Sequence, residues 1–404
     1  MKIDNNIYNK FLDWNMFFYK FLKKVDLSSF IIFFISDLEQ NNFKLNLYLH
    51  VPFCKSSCIY CPYYKLIWKL DKKLVENWYQ DTIKRIENWI SYLKKYINTK
   101  QIEIETISIG GGTPSYIPSY YLKNILEILI KNFNFNLREF TIEINPTIED
   151  FNNILTLKSY GLNRLSLWIQ TFDKEITKIT GRQLKNKDVF KVIELTEKEF
   201  DNYNIDMIYG LPNQNLNILN KDIKILNRFN IKHISYYPLY LFKNTYLYNN
   251  INKYNLPFLK NWKYDYKEII KWFRIIKEKL KIKPYTMDYF ALNKKYYHKY
   301  QLNYLYQKPL LPLNFWYWWS IKTFVYNWNF YIFDKSTNIW LKQLFLSIRL
   351  MSFNYNFKIN KNLYKNFKSI IDIIKKKNLE YQYRLWSYFN YLLDKLSNKE
   401  EISI

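Results

Sequence analysis

The sequence predicts an α/β fold: a parallel sheet that curls into a partial or complete barrel, followed by a smaller, mainly helical C-terminal domain. Three observations lead there. Six short segments rich in β-branched or aromatic residues alternate with segments of helical spacing. Short loops join them, and consecutive βα units with short connections make a parallel sheet whose twist allows closure. The alternation stops near residue 255, and helical patterning covers residues 338–398.

The expected strands are Leu45–Val51, Glu103–Ile109, Phe140–Ile144, Arg164–Ile169, Ile205–Tyr209 and His233–Leu239. The expected helices between them are Leu74–Tyr96, Tyr120–Lys131, Ile148–Tyr160, Lys187–Lys198 and Leu216–Asn227. The first is clearest, with apolar residues at Leu74, Trp78, Ile83, Ile86, Trp89 and Leu93 marking one face. Residues 1–44 alternate between polar and aromatic without a motif and form an N-terminal extension. Residues 45–255 form the barrel. Residues 256–404 form the C-terminal region, which holds a helix at 264–280 and an aromatic-dense stretch from Tyr285 to Phe333.

Composition narrows the function. The chain has 404 residues, 49% of them hydrophobic, which excludes disorder as the main state. The apolar run near Phe30 to Ile35 is too short to span a bilayer and lacks the flanks of a signal peptide. Three cysteines exclude a disulfide scaffold, so a reducing cytoplasmic location is expected, with no transmembrane segment. A net charge of +26 would ordinarily suggest nucleic acid. Here the lysines are spread along helices and loops, and Lys, Asn, Ile, Tyr and Phe are the residues of AT-rich codons. Base-biased drift accounts for the charge, and no nucleic-acid partner is expected. That bias makes the scarce residues informative: six glycines, eight arginines and three histidines.

All three cysteines fall in the run Cys54-Lys-Ser-Ser-Cys58-Ile-Tyr-Cys61, just after the first strand. Thiolates are soft ligands suited to iron–sulfur clusters, and three of them leave one iron open for an exchangeable ligand. Zinc or unrelated free thiols are the alternatives. Gly110-Gly111-Gly112-Thr113-Pro114-Ser115 follows the second strand, where glycines let the backbone approach a ligand. Glu143-Ile-Asn145-Pro146 ends the third, where a carboxylate suits a cationic or hydroxylated ligand.

The run Tyr48-Leu-His50-Val-Pro52-Phe53-Cys54-x3-Cys58-x-Tyr60-Cys61 resembles radical S-adenosylmethionine (SAM) proteins, in the branch holding oxygen-independent coproporphyrinogen III oxidase and the HemW heme chaperones. The fold of that family is a (βα)6 partial barrel. The resemblance implies a [4Fe–4S] cluster on Cys54, Cys58 and Cys61, with SAM chelating the open iron and cleaved by one electron from the cluster. It extends to Gly161-Leu-Asn163-Arg164-Leu-Ser166-Leu-Trp168-Ile-Gln170, Gly181-Arg182 and Asn204-Ile-Asp206-Met-Ile-Tyr209-Gly210. It implies SAM contacts from Tyr48, Gly111, Gly112, Thr113, Glu143, Gln170, Arg182, Asp206 and Tyr240, and assigns no separate catalytic residue.

Within the branch, the resemblance favours the chaperones. The oxidase has a fourth cysteine two residues after the third, where this chain has Tyr63. The partners implied are SAM, heme or a porphyrinogen, a heme-acceptor protein and an electron donor. The oxidase, acting on a porphyrinogen, is the alternative. The C-terminal half departs from the chaperone pattern. At the heme-motif position stands Tyr300-Gln301-Leu-Asn303-Tyr304, with His298 two residues earlier. Trp168 replaces a family glycine, and the Gly-rich segment has become Leu310 to Phe324. His298 and Tyr300 are the candidate heme ligands left, and the Trp316–Trp319 run is a candidate porphyrin-stacking face.

Overall fold

The computed structural model describes residues 22–67, 72–182, 184–243, 245–260, 263–286, 288–305, 308–314, 317–319, 323–326 and 329–333. The helical reading of residues 338–398 and the Trp316 end of the tryptophan run lie outside the described residues.

Six parallel strands form the frame: β1 (Lys44–Val51), β2 (Glu103–Gly111), β3 (Asn134–Ile144), β4 (Arg164–Gln170), β5 (Asn202–Tyr209) and β6 (His233–Pro238). They lie side by side in chain order, each parallel to the next. They coincide with the six expected strands apart from their ends; β3 starts at Asn134 instead of Phe140. Three short strands then widen the sheet. β7 (Lys283–Pro284) pairs antiparallel with β8 (Tyr289–Ala291), which pairs antiparallel with β6. β9 (Leu310–Pro312) pairs parallel with β1. The outermost strands, β7 and β9, are not paired with each other, so the barrel is partial. The sheet thus continues past residue 255 on both of its edges.

Parallel strands covered on both faces are normally apolar throughout. These alternate. Asn46, Tyr48 and His50 share one face of β1, and in register with them or with each other stand Thr106, Ser108, Thr141, Glu143, Arg164, Ser166, Asn204, Asp206, His233 and Ser235. Hydrogen bonds between neighbouring strands join that face: Thr106 Oγ1 to Asn46 Oδ1 at 2.6 Å, Ser166 Oγ to Asp206 Oδ2 at 2.6 Å, and His233 Nδ1 with Asn204 Oδ1 at 2.7 Å. The approach of Arg164 on β4 to His233 on β6, 3.2 Å, past β5 makes it the concave, inner face. The other face carries Leu45, Leu47, Leu49, Ile107, Ile142, Leu165, Leu167, Ile205 and Ile234, all buried in one core with the surrounding helices. The lumen is polar, and the hydrophobic core is the layer between sheet and helices.

Those helices are α1 (Leu27–Gln40), α2 (Lys72–Lys94), α3 (Ser119–Asn132), α4 (Ile148–Leu155), α5 (Lys174–Ile179), α6 (Asn186–Glu199), α7 (Leu216–Leu226), α8 (Tyr266–Lys279) and α9 (Lys299–Leu305). Side-chain caps start several of them. Asp173 Oδ1 accepts from Glu175 N and Ile176 N, and Asn215 Oδ1 from Ile218 N. α1 lies in the extension that shows no motif in sequence. Asp26 caps it through Ser29 N at 2.8 Å, and Phe30, Ile31, Phe34 and Leu38 are buried in the barrel core. Burial of such side chains contributes up to about 1.5–3 kcal/mol each, so α1 is part of the barrel wall. A separate antiparallel sheet pairs Leu22–Val25 with Asn329–Phe333, followed by Thr323–Tyr326 and Tyr317–Trp319. The described part of the C-terminal region therefore contributes strands as well as α8 and α9. Among the described residues no helix is long and apolar enough to cross a membrane.

α9 closes the lower end of the barrel, where the strands begin. Glu139 accepts Lys299 N at 2.9 Å and Tyr300 N at 3.0 Å. Asn303 Nδ2 donates to Asn46 Oδ1 and Glu105 Oε2, both at 2.8 Å. Arg164, fully buried, lies 3.8 Å from Glu139 Oε2 and 3.2 Å from His233 Nδ1. The upper end has no such plug among the described residues.

Candidate functional site

The cysteine loop begins where β1 ends. Phe53–Cys54 forms a two-residue strand that pairs parallel with Leu66–Ile67, which brings the far side of the loop back to its start. All three thiols are free; Cys54 is buried, and Cys58 and Cys61 are half-buried. The loop turns at Cys61 N to Cys58 O, 3.2 Å, and is pinned by Ile59 N to Thr180 O, 3.2 Å, and Leu247 N to Ile59 O, 2.8 Å. A side chain is impossible at Gly181: its φ is +80°, and a Cβ would stand 2.6 Å from Ser57 O. Burial pushes the Cys54 thiol up to about 11, against a hydrogen bond from Thr113 and the charge of Lys65. Burial also raises Cys61, and Lys65 again opposes it. Among the described residues no three His, Cys, Asp or Glu side chains converge on one point.

The glycine loop at the end of β2 is joined to the cysteine loop by backbone. Gly112 N donates to Val51 O at 2.7 Å, and Thr113 N to Phe53 O at 2.6 Å. Thr113 Oγ1 lies 3.6 Å from Cys54 Sγ. A Cβ on Gly112 would stand 2.6 Å from Phe53 O, so this glycine is required for the two loops to touch. Gly111 N donates to Glu143 Oε2 at 3.1 Å.

Glu143 therefore sits at the top of the lumen directly under the glycines. Burial, with Asp206 adding repulsion, pushes its carboxyl up to about 8. Asp206, also raised by burial, accepts Ser166 Oγ. Gln170 closes β4 with a φ of +71°, a left-handed conformation that non-glycine residues hold only under external constraint. Arg182 is buried. Its Nη2 donates to Asn145 Oδ1 at 3.1 Å and to the Trp168 carbonyl, its Nη1 lies 3.7 Å from Cys58 Sγ, and its Nε has no partner. Tyr48 OH bonds His50 Nδ1 at 3.1 Å, and His50 Nε2 meets Tyr64 O at 3.2 Å. The carbonyl needs Nε2–H, so Nδ1 accepts from Tyr48. Burial lowers the imidazole to about 4, which keeps it neutral. Tyr240 follows β6 at the same end, half-buried, with its ring 6.4 Å from that of Phe242. Tyr63 is 58% exposed, yet Glu143, Cys61, Tyr289 and Asp206 are its electrostatic neighbours.

The expected site residues thus gather at the upper end. Lys65, whose Nζ donates to Cys61 O at 3.0 Å, belongs to the same group and carries no signal in the sequence. Of the expected heme ligands, Tyr300 reaches them and His298 does not. His298 Nε2 lies 3.4 Å from Glu139 Oε1 at the barrel floor. Tyr300 rises from α9 into the lumen and stacks on Tyr48 at 6.4 Å. Both occupy the plug, because Glu139 captures the backbone that follows His298.

Residues 48–226 match the model of the radical SAM superfamily. The barrel belongs to the radical SAM superfamily. The heme chaperone HemW of Buchnera aphidicola subsp. Schizaphis graminum is 34% identical over 217 residues, 53% of this chain and 54% of that protein. HemW of Bacillus subtilis is 32% identical over 209 residues, 51% and 53% of the two chains. The oxygen-independent coproporphyrinogen III oxidase of Pseudomonas aeruginosa is 29% identical over 184 residues, 45% and 39%. The chain spans about half the length of the HemW relatives it matches. The solved structure of the Escherichia coli coproporphyrinogen III oxidase HemN superposes with a TM-score of 0.65 at 18% identity, covering 85% of this chain and 84% of the other. That likeness speaks to fold. This radical SAM barrel falls in the HemW and coproporphyrinogen oxidase branch, a family that implies a [4Fe–4S] cluster and SAM.

Proposed function

We propose that the chain holds a [4Fe–4S] cluster on Cys54, Cys58 and Cys61, binds SAM at the polar barrel mouth, and serves heme metabolism as a HemW-like protein. One observation carries the reading. Three free thiols, a glycine loop bonded to them by backbone, and the carboxyl of Glu143 under that loop meet at the open end of a polar lumen. The site suits both groups: Arg182 Nε is buried and unpaired, and the glycines let the cysteine loop, His50 and Glu143 pack together where any side chain would collide. The cluster would supply an electron and an open iron. The protein's part is placement. Tyr48, oriented by neutral His50, forms one lumen wall; Gln170, Asp206 and Tyr240 line the others. Glu143, largely protonated at neutral pH while the lumen holds no cation, gives up its proton when a positive group arrives beside it. Uptake of a cation there would be coupled to release of that one proton.

Anaerobic reconstitution tests this. About four irons per chain are expected by the logic of the site, and Cys54→Ala, Cys58→Ala or Cys61→Ala should each remove most of them. Iron content unchanged in all three variants would overturn the assignment. The HemW-like reading over the oxidase rests on Tyr63, a phenol that cannot replace a thiolate. Purified, reconstituted protein should bind heme and leave coproporphyrinogen III unconverted; conversion would reverse the order. With His298 at the floor, His298→Ala should leave the heme Soret band in place.

A further inference from the structure

We propose that Lys65 and Arg182 form a cationic shell around the cysteine loop that raises the reduction potential of the cluster held there. This rests on the cluster assignment above. Each cysteine has its own donor. Thr113 Oγ1 lies 3.6 Å from Cys54 Sγ, Arg182 Nη1 lies 3.7 Å from Cys58 Sγ, and Lys65 Nζ donates to Cys61 O at 3.0 Å. Two of the three donors are cations. Lys65 belongs to the loop itself, and its Nζ reaches Tyr63 O as well, at 3.5 Å. Arg182 comes from beyond α5 and is clamped by Asn145 Oδ1 and the Trp168 carbonyl, so its guanidinium cannot swing away.

Potentials of iron–sulfur clusters follow net charge and hydrogen bonds to the sulfurs. Every electron added here puts another negative charge beside two positive ones, which favours the reduced state. Arg182 is 8% exposed, so water screens it little and its effect is the larger. Lys55 adjoins Cys54 in the chain, yet it is exposed and its charge acts on Asp150, so it supplies an internal control.

The experiment is a potentiometric titration of anaerobically reconstituted full-length protein, followed by electron paramagnetic resonance. Lys65→Met should move the midpoint to more negative potential, Lys65→Arg should restore it, and Lys55→Met should leave it in place. Arg182→Met should move it further than Lys65→Met. If Arg182→Met takes up no iron, the Lys65 pair decides. Equal midpoints for wild type and Lys65→Met, with equal iron, would overturn the inference and leave the cluster assignment standing. Wild type without iron would instead overturn the assignment, and this inference with it.

Discussion

At the floor of the barrel Glu139 has both carboxylate oxygens engaged by backbone N–H groups, with Arg164 beside it. At the mouth Glu143 receives one backbone N–H and faces another carboxyl, Asp206. The same side chain is saturated at one end and left wanting at the other. Asn46 and Asn303 at the floor likewise bond each other, although a buried Nε without a hydrogen bond occurs at both ends, on Arg182 at the mouth and on Arg164 at the floor, 3.8 Å from Glu139 Oε2. Buried polar groups without partners are costly unless something else satisfies them. The comparison is therefore one of carboxylates: Glu139, engaged through both oxygens, holds the fold, and Glu143, engaged through one, has an oxygen left for another group.

Four changes would break or sharpen that contrast. The largest effect should come from the floor. Arg164→Met leaves Glu139 buried without its cation, and removal of one partner of a buried ion pair costs about 3–5 kcal/mol. Chemical denaturation should show it, while folded protein keeps its capacity for iron; loss of iron at unchanged stability would contradict the division. Gly112→Val comes next. Its side chain would strike Phe53 O, so the collision reaches the cysteine loop. Both SAM affinity and iron content should fall, and wild-type values for both, by calorimetry and iron assay, would remove the glycine loop from the site. Asn303→Ala is milder. It strips a donor from Asn46 and Glu105 and should cost about 1–3 kcal/mol, measured as a lower denaturation midpoint.

The fourth change concerns pH. The carboxyl of Glu143 rises from its ordinary 4.5 to about 8 in the folded chain, so the folded state holds this proton more tightly. Its contribution to stability is present at low pH and declines as pH rises from about 4.5 to about 8. Glu143→Gln should flatten the stability profile across that window. A profile that still falls equally would place the effect on another group.

Much of this was legible in the chain. Each barrel strand announces itself by alternation, as in Lys44-Leu-Asn-Leu-Tyr-Leu-His-Val51, and the cysteine and glycine motifs fall where strands end. α1 was not legible, since Phe30-Ile-Ile-Phe-Phe34 is apolar on every side and shows no period. β7, β8 and β9 have two or three residues each, too few for any pattern, and owe their existence to the edges they pair with. The site was legible where a side chain belongs to a motif. Lys65 was invisible because its role depends on Leu66–Ile67 folding back against Phe53–Cys54. His298 misled because a histidine near a familiar motif position says nothing about which end of the barrel it occupies.

The alternation of the strands also gives the chain two substitution regimes. On the outer face Ile, Leu and Val exchange at modest cost, usually under about 1.5 kcal/mol when volume is kept. There a codon bias toward AT can act freely, and Ile and Leu dominate the buried layer. On the inner face each residue answers to a partner across the lumen or to a bound molecule, so composition cannot drift without unpairing something. A genome's base preference can be written on the outside of every strand, while on the inside it meets hydrogen-bonded pairs such as Asn46–Thr106 and Ser166–Asp206.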